Sequence, residues 1–410
     1  EIRFLGFNDP WEQRKFNKLA ETQRGLTYKP SDVCENGVRV LRSSNINEDT
    51  FVIDKDDVFV KKSAVNVPFV RNGDILITSA NGSSHLVGKH AIIRQIDNNS
   101  AVIGGFMLLA TTKNPYFLNA AMGSSWYKKF INLSVAGGNG AIGNLNKNEL
   151  DEKTLFVPSN DEQGKIGQYF ESIDTIITLH QRKLEKLKTF KKAMLDKMFP
   201  KNGEHVPEIR FSGFTDPWEQ RKLNSLCEIF SDGDWIESKD QSSKGIRLVQ
   251  TGNVGITEFL DKPDNKKWIS DETFKRLNCK EIYAGDILIS RLPEPAGRAC
   301  IVPKINEIMI TAVDCTIARI AKEFSNKFLV QYLSSSEYFG KVNTLLAGGT
   351  RQRISRTILG EFEISIPTII EEQELIGVFL GELDNLITLH QRKLEKLQNI
   401  KKSMLNKMFI

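Results

Sequence analysis

The sequence predicts an α+β protein built twice over: two pseudo-twofold-related globular domains separated by a long antiparallel two-helix coiled coil. Three observations predict it. The segment "ITLHQRKLEKL" occurs at 177–187 and again, letter for letter, at 387–397. Much of the rest repeats at the same offset: "EIRFLGFNDPWEQRK" (1–15) returns as "EIRFSGFTDPWEQRK" (208–222), "NGDILIT" as "AGDILIS", "SVAGG" as "TLLAGG" and "LDKMF" as "LNKMF". A period of about 210 residues is too long for a solenoid and means domain duplication. Finally, each copy ends in a helical pattern of coiled-coil type, while the remainder of each copy reads mainly as short strands.

The helical pattern is explicit. Ile166, Phe170, Ile173, Ile177, His180, Leu184, Leu187, Lys191, Met194 and Met198 alternate spacings of four and three, and Ile376 to Met408 repeat that seam position for position. Residues 160–199 contain no proline, so at 1.5 Å per residue they form a rod of about 60 Å, ended by Pro200. The linker "PKNGEHVP" spans at most about 27 Å. The second domain must then start near the far end of the first helix, and only antiparallel pairing lets the second helix return. The expected architecture is a dumbbell, divided as a first domain 1–159, a first spacer helix 160–199, a linker 200–207, a second domain 208–369 and a second spacer helix 370–410. His180 and His390 occupy seam positions, where a polar residue usually fixes register. Lys191 and Lys401 are expected to lay their stems in the seam and keep their heads in water.

Composition narrows the class. The chain has 410 residues, room for cores that need no disulfide or metal staple. Its five cysteines (Cys34, Cys227, Cys279, Cys300 and Cys315) form no C-x-x-C pair, which reads as a reduced, cytoplasmic protein. No apolar run approaches the roughly 18 to 20 residues of a membrane span, and no signal peptide is evident. The net charge of +5 is unevenly placed: about +6 in 178–201, about +5 in 388–409, near zero in 1–177 and about −6 in 202–387. Such basic helices suit a solvated face or a polyanion partner, and charge alone does not decide between them.

Within each domain, "WEQRK" leads to strand-like runs ("VRVLRSSNI", "IRLVQTGNV"), the "GDILI" strand, a loop and further strands. A helical stretch, a glycine-containing loop and a strand ending in proline complete the order. Two motifs suggest an enzyme. "GNGAIG" (138–143) spells G-x-G-x-x-G, but a phosphate-binding fingerprint needs a strand before it and a helix after it, and here a helical pattern precedes it. "NPYF" (114–117) is similar to a motif of adenine methyltransferases, yet Asn114 and Pro115 also suit the N-cap and first turn of a helix. The second copy has neither motif. No catalytic triad, paired carboxylates or metal-ligand set recurs in both copies, so no catalytic or metal residue is assigned.

The copies diverge in their loops. The first presents Arg42, Ser43, Ser44 and Asn45 beside one strand, Asn81, Ser83, Ser84, His85 and Lys89 after "GDILI", and Asn139 and Asn144 beside its "AGG". The second presents Gln250, Thr251 and Asn253, then Arg291, Glu294 and Arg298, then Arg351, Gln352, Arg353 and Arg356. Apart from Glu294, these are side chains of the kind that grip phosphates and read base edges, and they are the candidate DNA-binding residues.

Two variable domains alternating with near-identical helices, "EIRF.GF.DPWEQRK" opening each half, "GDILI", and "P...EQ..I" entering each helix resemble the specificity subunit of bacterial type I restriction and modification enzymes. The resemblance covers the whole chain. It implies a non-catalytic subunit whose two target-recognition domains each read one half of a bipartite, asymmetric DNA target with a fixed gap. It also implies helices that serve as ruler and docking surface for two methyltransferase subunits, with two restriction-translocation subunits joining outside. S-adenosylmethionine, ATP and magnesium would belong to those partners. The alternatives are a stand-alone DNA adenine methyltransferase and a coiled-coil adaptor that binds no DNA. The acidic balance of the second domain requires its arginines to be concentrated on one face.

Overall fold

The two proline-free seams form helices of 39 residues each, Asn160–Met198 and Ile370–Met408, each with two carboxylates in its first turn and a lysine in its last, matching the helix dipole at both ends. In the computed structural model, residues 2–135, 143–201, 204–347 and 352–409 are described. Contacts divide the chain into two compact units, Glu1–Gln181 with Arg392–Ile410, and Arg182–Gln391. Each unit thus combines one globular domain with the first half of its own long helix and the second half of the other.

Within each unit the two helical stretches run antiparallel. In the first, Lys401 Nζ lies 2.7 Å from Asp174 and Phe409 lies 6.1 Å from Phe170. In the second, Lys191 Nζ lies 2.5 Å from Asp384, while Phe199, eight residues on, packs on Phe328, whose backbone nitrogen lies beside Gly377. These lysines correct the expectation of solvated heads. Lys191 is only 8% exposed, and the carboxylate it meets also accepts from Thr257 (2.9 Å) and Gln331 (2.8 Å). A buried ammonium needs a paired, hydrogen-bonded partner, and the seam supplies one. His180 and His390 are half-buried at their seam positions.

Each domain contains two small sheets in matching order. In the first unit an antiparallel sheet runs His90–Ile92, Ile75–Thr78, Met107–Thr112, Ala20–Arg24. The other runs Ala101–Ile103, Val38–Leu41, Val58–Val60, Val33–Cys34, with its first pair parallel. The second unit repeats both, as Ala299–Ile301, Ile287–Ser290, Cys315–Ile320, Cys227–Asp232, and as Met309–Thr311, Ile246–Val249, Lys267–Ile269, Gln241–Ser242, adding Glu281–Ile282 at the edge. The four residues of "ILIT" and of "ILIS" are all buried, which is why this strand reads as a continuous apolar run. The predicted helical stretch of the first domain is two helices, Pro115–Met122 and Ser125–Ser134, and that of the second is Asn326–Tyr332 and Ser336–Thr344.

The repeated motifs are the frame of this fold. Glu12–Lys15 pairs antiparallel with Thr154–Val157, and Glu219–Lys222 with Glu363–Ile366, so the first and last strands of each domain close together just before a long helix. Arg3 grips Glu162 with two hydrogen bonds of 2.8 and 2.7 Å, and Arg210 grips Glu372 at 2.7 and 2.8 Å, which explains why "EIRF" and "EQ" recur as a set. Gln163 and Gln373 donate to the carbonyls of Pro158 and Pro367. The aspartate of "GDILI" locks its turn: Asp74 accepts from Arg71 N and Thr111, and Asp286 from Tyr283 N and both arms of Arg319. The "KMF" ends are plugs. Phe409 packs on Trp11 and Phe117, and Phe199 on Trp218, Phe328 and Tyr332.

Candidate nucleic-acid interface

In the first unit, three segments of diverged sequence converge. The turn Ser43–Asn45 follows the Val38–Leu41 strand, and the Ala80–Asn81 strand follows the "GDILI" strand. Gly143–Asn144 then pairs with Ala80–Asn81. Asn81 ties them together: its Nδ2 donates to Ser43 Oγ at 3.0 Å and its Oδ1 accepts from Ser83 N at 2.9 Å. Ser44, Ser83, Ser84, His85 and Asn144 are exposed around this junction, and Arg42, Ser43 and Lys89 are half-buried. Asn139 lies outside the described residues, as does most of "GNGAIG". Asn114 stands at the N-cap position with Pro115 after it, but its side chain donates to Gln163 at 3.0 Å rather than capping the helix. "NPYF" is therefore used to dock a helix.

The second unit builds the same junction with different chemistry. Arg298 holds it: Nε donates to Val254 O (2.7 Å), Nη1 to Leu292 O (2.8 Å) and Pro295 O (2.9 Å), and Nη2 to Thr251 O (2.9 Å). One guanidinium thus joins the Thr251–Asn253 turn to the loop after "GDILI". Burial pulls its pKa below the usual arginine value. The third segment is anchored where Ile354 N donates to Arg291 O at 3.1 Å. Gln250, Glu294, Gln352 and Arg353 are exposed and Arg356 is half-buried; Arg351 lies outside the described residues.

Several sequence-derived candidates have their polar atoms engaged within the fold. Asn45 is 0% exposed: its Oδ1 accepts from Arg42 N and its Nδ2 donates to Val52 O and Asp57, closing the turn from inside. Asn253 makes the same bonds to Gln250 N and Leu260 O while staying half-buried. Arg291, 8% exposed, donates to Val313 O at 2.6 Å and faces Asp232 at 3.5 Å. Arg298 is spent on its four carbonyls. These placements share a cause: a polar side chain that closes a turn from inside spends its hydrogen-bonding capacity there. Of the arginines of the acidic domain, Arg291, Arg298, Arg353 and Arg356 belong to this junction, while Arg210, Arg247, Arg276 and Arg319 are paired with carboxylates elsewhere. Arg353 is its exposed cation; Arg356 is half-buried, 3.6 Å from Asp232 and donating to Phe230 O at 3.2 Å.

Two exposed aromatic side chains not among the candidates lie on backbone segments beside these junctions, Phe106, whose carbonyl accepts from Ala80 N, and Trp235, whose neighbour Asp234 accepts from Val313 N. Their signal was a large aromatic within two residues of a glycine, outside any apolar period, in "IGGFM" and "DGDWI". The helices have their own exposed feature: Ile176 and Leu179 in one copy and Leu386 and Leu389 in the other, equivalent positions, are exposed apolar side chains. All five cysteines are unpaired. Among the described residues there is no His/Cys/Asp/Glu cluster suited to a metal ion, and no helix long and apolar enough to cross a membrane.

Comparison with known proteins yields a consistent set. The chain is 25% identical over 281 residues to the type I restriction enzyme MjaVIII specificity subunit of Methanocaldococcus jannaschii, a match spanning 65% of this chain and 63% of that protein. It is 24% identical over 390 residues to the type I restriction enzyme StySPI specificity subunit of Salmonella potsdam, spanning 89% and 80%. Its fold matches the crystal structure of a type I restriction-modification system S subunit from M. genitalium with a TM-score of 0.64 at 14% identity, over 100% and 98% of the two chains. The family model for the type I restriction modification DNA specificity domain matches twice, at residues 8–189 and 215–399, once for each copy of the repeat. With its two matched halves, each a frame of shared motifs around a junction of diverged loops, the chain belongs to the type I restriction modification DNA specificity family.

Proposed function

We propose that this chain is the non-catalytic specificity subunit of a type I restriction-modification complex. Each unit reads one half of a bipartite, asymmetric DNA target through its loop junction, and the two half-sites flank a fixed unread gap. One observation carries this reading: residues shared by the two copies are spent on the frame, and residues that differ gather at the equivalent junction of each unit. A protein that holds two different half-sites in one geometry needs that division. The identical helical segments give two copies of one partner the same surface, and the exposed pairs Ile176/Leu179 and Leu386/Leu389 supply apolar anchors for it. The partners are two methyltransferase subunits and, outside them, two restriction-translocation subunits. S-adenosylmethionine, ATP and magnesium reside on those partners.

The test is to express the chain with its methyltransferase partner and map methylated adenines across a genome. The expected result is one two-part sequence with a constant gap, and no methylation by either protein alone. Methyl transfer by the isolated chain would make it an enzyme. Absence of any duplex-DNA binding by the chain with its partner would make it an adaptor.

A further inference from the structure

The two most exposed aromatic side chains among the described residues, one per unit, stand on neighbouring, paired segments of the duplicated fold. Phe106 is 67% exposed and Trp235 is 69% exposed. Phe106 lies in the turn that leads into the Met107–Thr112 strand, and its carbonyl accepts from Ser79 N at 2.9 Å and Ala80 N at 3.0 Å, just before the junction residue Asn81. In the second unit the equivalent turn carries Asp314, whose carbonyl accepts from Arg291 N at 2.9 Å. Trp235 sits on the segment paired with that turn, where Asp234 N donates to Thr311 O (2.8 Å) and Val313 N donates to Asp234 O (2.9 Å). The corresponding pairing in the first unit joins Leu26 to Ile103 and Gly104. Between the copies the aromatic has moved from one of these two paired segments to the other.

The backbone beneath both rings is tightly held. A Cβ on Gly25 would lie 2.0 Å from Gly104 O, and one on Gly233 would lie 2.3 Å from Thr311 O. A ring on such a support gives up little conformational freedom when it touches a ligand. Single exposed apolar residues are ordinary. The recurrence of one at this point in two domains whose loops otherwise differ is what asks for a cause. The junction side chains beside Phe106 are Asn and Ser, and those of the second unit include Arg and Gln, which read hydrogen-bonding edges; Trp235 also donates its indole N–H to Glu237 at 3.4 Å, which leaves the ring face free. The 5-methyl group of thymine offers no hydrogen bond and is read by apolar contact in the major groove.

We propose that Phe106 and Trp235 are apolar base probes, each touching the 5-methyl group of a thymine in the half-site read by its own unit. This rests on the reading above that the loop junctions face DNA. The test uses the full chain with its methyltransferase partner and duplexes of the mapped target in which each thymine is replaced singly by deoxyuridine, which lacks only that methyl. For the unaltered chain, one such replacement in each half-site should weaken binding roughly fourfold, the worth of about one buried methyl group. Phe106→Ala should abolish the response in its own half-site and keep the response in the other, with Trp235→Ala the mirror case. Phe106→Leu should restore part of the response. Because both rings are exposed, unchanged melting temperatures will show that the variants fold. The proposal is overturned if the alanine variants keep every thymine response, if they weaken thymine and deoxyuridine duplexes alike, or if a half-site contains no thymine. If the unaltered complex shows no preference for any two-part duplex, the DNA-facing reading falls, and this proposal with it.

Discussion

Lys191 and Lys401 show how one residue type serves both copies: each is matched with an aspartate, and the two pairs, Lys191–Asp384 and Asp174–Lys401, are related by the repeat with their roles exchanged. Asp384 also accepts from Thr257 and Gln331. Asp384→Ala is expected to strand a buried ammonium and lower stability by about 3 kcal/mol in urea unfolding, with Lys191→Met costing less because Asp384 keeps two donors. The pair in the first unit is less balanced. Burial is the main cause that raises the Asp174 carboxyl above its usual value, offset in part by Lys401 and aggravated by Asp49. A carboxylate with a raised folded pKa binds its proton more tightly when folded, so its contribution falls as pH rises from the unfolded value, about 3.9, through the raised one. Stability measured against Asp174→Asn should therefore decline across that window and level off above it. At the junction, Arg353 is exposed and outward. Arg353→Ala is expected to cost about 1 to 3 kcal/mol in DNA binding with relaxed specificity at one base if it reads an edge, or to lower the salt slope by about one if it holds a phosphate. Unchanged affinity and salt dependence would remove it from the interface.

Elements are positioned by contacts that leave no spare room. Gly377 lets the second long helix pass the start of the Asn326–Tyr332 helix: a Cβ there would lie 2.6 Å from Phe328 N and 2.7 Å from the Lys327 backbone. Gly167 does the same beside Phe117, at 2.9 Å. Alanine normally favours a helix over glycine by about 1 kcal/mol. Here Gly377→Ala is expected to destabilise by about 2 kcal/mol in thermal unfolding, because backbone must move to admit the methyl. Arg298 plays the corresponding part for loops. Arg298→Lys retains charge but cannot donate to four carbonyls in a fixed plane, so it should lose sequence-specific binding to the second half-site while leaving the first half-site and the melting temperature nearly unchanged. Equal loss at both half-sites would assign Arg298 to overall folding instead.

Across the full length of the chain, the proposed function makes the long helices a ruler. Inserting the same four-residue helical segment after Leu187 and after Leu397 adds about 6 Å to each helix. A base pair rises about 3.4 Å, so the mapped target should gain one or two base pairs in its gap, with both half-sites unchanged. Only variants that fold and still hold the methyltransferase count, because the insertion also shifts the seam register. An unchanged gap would sink the ruler, and altered half-sites would give the helices a part in base reading.

Read alone, the letters of the chain establish the duplication, the two helices with their seam and antiparallel sense, the α+β class and the family. Those properties are written in local periodicity and in identity at a fixed offset, which need no knowledge of partners. Which polar residues face inward was settled by the folded arrangement. Lys191 reads as a snorkelling seam residue until Asp384, 193 positions away, is placed against it. Asn45, Arg291 and Arg298 read as DNA contacts until their turn carbonyls, amides and carboxylates are found. Likewise, the parallel strand pair in each domain and the exposed rings of Phe106 and Trp235 follow from chain segments meeting across long separations. Burial is a property of the assembled neighbourhood, so a polar or aromatic letter does not reveal which side of a loop it faces until the fold has closed around it.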